Sequence, residues 1–297
     1  MSQPPRYGLA MAMAVPCAYA VTSSMARMAY DSGATPLAVA STRQFAAALV
    51  FLAFALVTRM PAALPPRQRH VAWVLGAAHA VQAWVLYMAF ARVPVAIAIL
   101  IFYTFPLLAG IWGWISGDDP PTVRAVGSVL LAFVGIGLTL DLGAGTTDLA
   151  GAGLATLSAL AFAAILVVTG KLFRGGEARP RTLHMLVAGA LTYLALVLAT
   201  GEATYPTGTQ GWAAMATNAA FYCFAVIGMF ASVAALGPMR AAMFLNLEPV
   251  VTLAMGYFLL NQGLAPVQLL GAGMVIVAVL VYQRGGAPAP APKPAGN

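Results

Sequence analysis

Two side chains carry a charge well inside apolar runs long enough to cross a bilayer: Glu248, in the stretch FLNLEPVV (244–251), and Arg43. A central charge costs about 2.5–3.5 kcal/mol on membrane-insertion scales, so each requires a partner, a cavity or a solute. Glu248 sits two residues from Asn246 and beside Pro249. Residues two apart on a helix project about 200° apart, so Asn246 and Glu248 cannot both point into one cavity unless the proline distorts the turn. Asn246 is the expected cavity residue. Two roles stand open for Glu248: binding a solute ammonium or a proton on a translocation path, or serving as a structural partner of Arg43 or of helix-end amides.

Other polar groups recur at helical spacing inside apolar runs. His79 and Gln82 share a helix face, while Trp84 and Tyr87 point elsewhere. His79 lies roughly 14 Å along its run at 1.5 Å per residue, near a membrane midplane. Asn218 and Tyr222 are i and i+4 and stack on one face. Tyr19 and Ser23 form a stripe with Pro16, whose missing N–H frees a backbone carbonyl. Tyr103 stands just before Pro106. Tyr19, Ser23, His79, Gln82, Tyr103, Asn218, Tyr222 and Asn246 are therefore the expected substrate-binding set. His79 and Glu248 are the groups able to exchange protons, and Pro16, Pro106 and Pro249 are the expected hinges. Packing between helices accounts for the same residue types, and for most of them the sequence alone does not choose.

Bond-breaking chemistry has no visible basis. Gly170-Lys171 lacks the remainder of a phosphate-binding loop, and no HExxH, CxxC or nucleophile–base pattern occurs. No enzyme, metal site or cofactor is expected. Cys17 and Cys223 both fall in apolar runs and read as buried thiols.

The elements that hold these groups are membrane spans. Hydrophobic residues make up 61% of the 297 and charged residues 8%, against about a quarter charged in soluble domains. Runs at 7–29, 36–58, 70–91, 94–115, 123–141, 149–171, 180–200, 212–235, 239–260 and 264–283 predict ten spans, followed by a disordered Pro/Ala-rich tail, 285–297. The net charge of +7 excludes nothing by its size, but its placement does. With a cytoplasmic N-terminus, twelve of the fifteen basic residues fall on the cytoplasmic side, which is the rule for membrane topology and not the footprint of nucleic-acid binding. Both termini are expected in the cytoplasm.

Residues 91–138 and 235–280 repeat one another: Pro94 aligns with Pro238, Pro106 with Pro249, Gly127 with Gly271, and Tyr103 with Asn246. Five spans per half is an odd number, so the second half (146–283) must be inverted relative to the first (7–143), the construction of many secondary transporters. The pattern AxxxPxxxAxxxxxxxP, a small polar loop and a glycine-started span resembles the EamA repeat of the drug/metabolite transporter superfamily, over residues 7–283. Where that family often has Glu in the loop after the fourth and ninth spans, this chain has Asp118-Asp119 and Asn261-Gln262.

The resemblance implies an all-α membrane fold of two inverted five-helix repeats, in the plasma (bacterial inner) membrane. It also implies export of aromatic and other neutral amino acids by alternating access. The residues independently argue for a small solute, uncharged overall and partly apolar, because no cluster of Lys or Arg inside the spans could replace the hydration of a phosphate. The alternative is an exporter of lipophilic cations with Glu248 as counter-charge. An oligomer is not required, since close packing within one bundle accounts for the small-residue stripes Gly135, Gly137, Gly271 and Gly273.

Overall fold

Helices begin and end where the sequence supplies caps and breakers. In a computed structural model, which describes residues 6–60, 62–116, 122–140, 148–172, 178–236, 244–245, 247–261, 263 and 265–285, the chain forms eleven α-helices and no strand among those residues. They are α1 (Arg6–Asp31), α2 (Pro36–Val57), α3 (Pro66–Arg92), α4 (Val95–Phe102), α5 (Phe105–Ile115), α6 (Val123–Leu140), α7 (Leu149–Leu172), α8 (Ala178–Thr200), α9 (Thr209–Leu236), α10 (Leu247–Leu260) and α11 (Pro266–Gly285). Thr35 caps α2 by accepting the Ala38 N–H, with Pro36 in the first turn, where a missing N–H has no cost. Gly33, at φ +94°, supplies the left-handed residue that ends α1.

Among the described residues, seven stretches are long and apolar enough to cross a membrane: α1, α2, α3, α4 with α5, α7, α8 and α9; α6, α10 and α11 are apolar but shorter. Large apolar side chains such as Leu56, Ile115, Val123, Leu198 and Phe258 stay exposed on the outside of the bundle, as lipid-facing surface requires. The expected fourth span is split: α4 ends at Phe102 and α5 starts at Phe105. Pro106 lacks the N–H that would bond the Phe102 carbonyl, and its ring crowds that carbonyl. Much of the first part of the expected ninth span, together with Asn246, lies outside the described residues, as does nearly all of the tail.

Helix pairing runs across the two halves. Helix α1 packs on α9 and α10, and α3 on α7 and α8. Helix α2 packs on α8 and α9, α4 and α5 on α7, α4 on α10, and α6 on α11. Exchanging α1 to α6 for their counterparts α7 to α11 turns each of these pairs into another of the same set. The α6–α11 pair stands to one side, where Gly135 lets it meet the Gly271 carbonyl closely; Gly137 and Gly273 face open space, so only part of the small-residue stripe packs.

Two glycines let α2, α3 and α8 meet closely. Any Cβ on Gly76 would run into the Met185 backbone, and one on Gly189 into the Gln44 amide. That amide donates to the Leu186 carbonyl at 3.0 Å, and the Tyr193 hydroxyl donates to the Ala80 carbonyl at 2.8 Å. Cys17, expected to be buried, is exposed on α1 and Cys223 is half-buried. An apolar run in a membrane helix does not separate the lipid face from the packed face.

At the end of the bundle holding the α1–α2 and α3–α4 turns, polar groups are tied across helices. Arg27 donates to the carbonyls of Phe90 (3.3 Å) and Ala91 (3.4 Å) and pairs with Asp31. Tyr30 donates to the Tyr87 carbonyl at 3.1 Å, a more specific role than a seat in an aromatic belt. Thr35 donates to the Glu202 carbonyl and accepts the Thr204 N–H. Arg92 pairs with Asp148 at 3.1 Å. That hydrogen bond, and then the Gly151 N–H, hold the Asp148 carboxyl below the usual carboxylate range.

Candidate functional site

Breaking the fourth span at Tyr103 and starting α10 at Leu247 places two helix ends side by side within the bundle. Tyr103 is the C-terminal cap of α4, with its N–H turned back to the Ile99 carbonyl. Glu248 lies in the first turn of α10, where the positive end of the helix dipole favours a carboxylate and Pro249 needs no N–H partner. From these positions the Tyr103 hydroxyl donates to Glu248 Oε2 at 2.6 Å. Both residues are buried.

Arg43 completes the arrangement in an unexpected way. It is 8% exposed, and its guanidinium lies between two rings, 4.3 Å from the Tyr87 centroid and 4.2 Å from the Tyr222 centroid. A cation over a ring face is attracted by the ring quadrupole, by about 2 kcal/mol when desolvated. Among the described residues the ion pairs are Arg27–Asp31 and Arg92–Asp148. An ion pair with Arg43, one of the roles left open for Glu248, is not among these: a phenol binds the carboxylate and two tyrosine rings lie against the guanidinium.

Around these two charges stand most of the residues expected from the sequence. Tyr19 meets Tyr222 edge-on, centroids 6.4 Å apart. Asn218 donates to the Thr22 carbonyl at 2.6 Å and the Tyr87 hydroxyl at 3.2 Å, which locks α9 to α1 and α3. Ser23 is buried on α1, and Pro16 is accommodated within the continuous α1. Several buried polar atoms have no hydrogen-bond partner among the described residues: Arg43 Nε, Asn218 Oδ1, Ser24 Oγ, Thr252 Oγ1, Gln82 Oε1 and Ser128 Oγ.

His79 and Gln82 face the other way, onto α7. Gln82 donates to Ser158 Oγ at 2.6 Å, and Ser158 donates to the Gln82 carbonyl at 3.2 Å. His79 lies 5.8 Å from the Phe162 ring. Phe162 also touches Phe102 at 5.3 Å and Phe105 at 4.8 Å, and Phe105 lies 5.9 Å from Tyr103. An aromatic series thus runs from His79 to the Tyr103–Glu248 bond.

Sequence reasoning missed three parts of this site: Arg43 as its centre, Tyr87, and the phenylalanine group Phe102, Phe105 and Phe162. Tyr87 is on the face that helical geometry turns away from His79 and Gln82; that face meets Arg43. A usable signal was present in Ser41-Thr42-Arg43-Gln44, four consecutive polar residues in an apolar span, and in Phe102-Tyr103-Thr104-Phe105 at the break. Separately, a cavity of about 110 Å³ lies between α4, α5, α6 and α7, lined by Ile101, Leu107, Ile136 and Thr156 among others. It is apolar and contains none of the charged residues.

Among the described residues no group of three His, Cys, Asp or Glu side chains could hold a metal ion. The arrangement is suited to holding a polar or charged solute in an apolar setting, through a guanidinium, a carboxylate, phenols and an amide, with aromatic surface alongside.

The model of the EamA-like transporter family matches the chain twice, over residues 6–140 and 149–283. No curated protein matches it. Sixteen solved chains match its structure; one of them, a crystal structure, is 16% identical, with a TM-score of 0.60 over 94% of this chain and 99% of that chain, a likeness of fold.

Proposed function

The chain belongs to the EamA-like transporter family, membrane transporters of small solutes and not enzymes, and from that premise we propose that it exports small neutral or zwitterionic solutes, chiefly aromatic and other hydrophobic amino acids. Transport proceeds by alternating access around the Arg43–Tyr103–Glu248 cluster, which lies at the midplane between two inverted halves, 7–143 and 146–283. Ten spans cross the plasma (bacterial inner) membrane with both termini in the cytoplasm. The end tied by Arg27, Tyr30 and Thr35 is the outer one.

One observation carries this reading. The C-terminal end of α4 meets the first turn of α10 through the Tyr103–Glu248 bond, and several buried polar atoms in the bundle have no partner among the described residues. A scaffold has no need for such groups, which are costly in a membrane interior unless a solute or water meets them. Resemblance to the aromatic amino acid exporter YddG supports the choice of solute, as do the partly exposed rings of Phe102, Phe105 and Phe162. His79 and Glu248 are the groups proposed to carry protons if export is coupled to a pH gradient.

Purified protein in liposomes tests this directly. Radiolabelled L-phenylalanine should enter protein-containing vesicles with saturable kinetics, and an imposed pH gradient should raise its accumulation. Vesicles with no flux above protein-free controls would refute the reading; equal accumulation with and without the gradient would remove the coupling alone.

A second reading keeps the fold and changes the solute. Because Glu248 is a buried carboxylate paired with a neutral phenol, it could serve lipophilic cations as counter-charge. Tetraphenylphosphonium flux in the same vesicles, lost on Glu248→Gln, would favour that exporter.

A further inference from the structure

We infer that Arg43 is the residue that recognises a carboxylate on the transported solute, so that the protein selects acids and amino acids over the corresponding amines. The inference rests on the transport reading above and deepens it.

Arg43 lies seven residues into α2 from Pro36, about 10 Å along the helix at 1.5 Å per residue. That is too deep for a side chain anchoring at a membrane surface, and its near-complete burial excludes snorkelling to one. A buried guanidinium normally has a carboxylate partner. Here the only carboxylate within the described spans of the centre, Glu248, is bound by Tyr103 instead. What Arg43 has are two tyrosine rings and a hydrogen bond to Tyr193, and these use only part of its binding capacity. Ring contacts cover the faces of the guanidinium, whereas its five N–H donors lie in the plane, in the fork geometry that matches a carboxylate. One of those donors, Nε–H, has no partner among the described residues. Tyr87, one of the two rings, is itself fixed by the Asn218 amide, so the sandwich is built into the fold.

Charge balance narrows the ligand. A single cation suits a single carboxylate; a phosphate, with close to two charges, needs more than one. Arg43 lies over the ring of Tyr222, which meets Tyr19 edge-on, and Glu248 is buried at the start of α10, which packs on α1, the helix of Tyr19. A solute with a carboxylate for Arg43 and an ammonium towards Glu248 complements both. A lipophilic cation complements only one and is repelled by the other.

The test uses three probes of one shape in proteoliposomes: L-phenylalanine, 3-phenylpropionate, which keeps the carboxylate, and 2-phenylethylamine, which lacks it. For the wild type, the acid should compete with labelled L-phenylalanine and the amine should not. Arg43→Gln should weaken apparent L-phenylalanine affinity by roughly thirtyfold, as loss of one partner of a buried charge pair does, and abolish competition by the acid. Arg43→Lys keeps the charge without the planar fork and should fall between, so it decides the matter if Arg43→Gln does not fold.

A wild type competed equally by acid and amine, or Arg43 variants that keep the wild-type acid-to-amine ratio, would overturn the inference while leaving the amino-acid reading intact. A wild type that moves only the amine, or none of the three, would overturn both.

Discussion

Two polar regions of this protein treat hydrogen bonds in opposite ways. At the end holding the α1–α2 and α3–α4 turns, Arg27, Tyr30 and Thr35 donate to main-chain carbonyls on other elements, and Arg92 has Asp148. In the centre, Arg43 and Asn218 each leave a buried polar atom without a described partner. A membrane interior penalises the second arrangement, since such an atom costs about 1–3 kcal/mol when left unmet. Satisfied groups hold helices together; unsatisfied groups are poised for something that is not protein. Changes at the end should therefore alter stability with little effect on transport, and changes in the centre should do the reverse.

The sharpest stability effect lies at neither region but in the packing that holds them in register. Gly76→Val would force a side chain into the Met185 backbone, and should destabilise the protein by about 3 kcal/mol or more through overpacking between α3 and α8. Thermal unfolding in detergent reads this out. A variant as stable as wild type would mean that α3 and α8 are not locked.

In the centre, Glu248→Gln preserves shape and an acceptor for the Tyr103 hydroxyl. It should cut L-phenylalanine flux about tenfold, a change of about 1.4 kcal/mol, with an unfolding temperature close to wild type. Tyr103→Phe removes the donor and should cost a few-fold in flux, about 1 kcal/mol. A double-mutant cycle over the pair should give less than the product of the two effects, because Tyr103→Phe removes the bond that Glu248→Gln weakens by neutralising its acceptor. Full additivity would separate them.

The smallest effect belongs to the tied end. Asp148 has a carboxyl held below its ordinary range by Arg92 and the Gly151 N–H, so its contribution to stability is complete above about pH 4, the unfolded value, and disappears as pH falls through the lower folded value. Asp148→Asn should therefore lower the unfolding temperature slightly at neutral pH, and the gap to wild type should close below about pH 4. A gap that widens on acidification would contradict the assigned pairing.

Much of this architecture was legible in the sequence because the membrane imposes a length. Apolar runs located the helices to within a few residues, and Pro106 and Pro249 lie in the first turns of α5 and α10. The site was legible in part. Tyr19, Tyr222 and Asn218 carry the i, i+4 spacing that marks a shared face, but spacing does not tell which neighbour that face meets. Arg43 reached its place between Tyr87 and Tyr222 through tertiary packing across 44 and 179 residues of sequence, which no local pattern reports. The direction of Glu248 depended on where α10 begins: in the first turn of a new helix it meets Tyr103, whereas in a continuous span its direction would have been set by the 200° rule alone.

The most direct test compares the two regions in one preparation. Liposomes carrying wild type, Glu248→Gln and Asp148→Asn, matched for folded protein, would be assayed for saturable L-phenylalanine flux. The account predicts near-wild-type flux for Asp148→Asn and a roughly tenfold loss for Glu248→Gln. Equal flux from all three, or loss in Asp148→Asn alone, would contradict a transport site at the centre of the bundle.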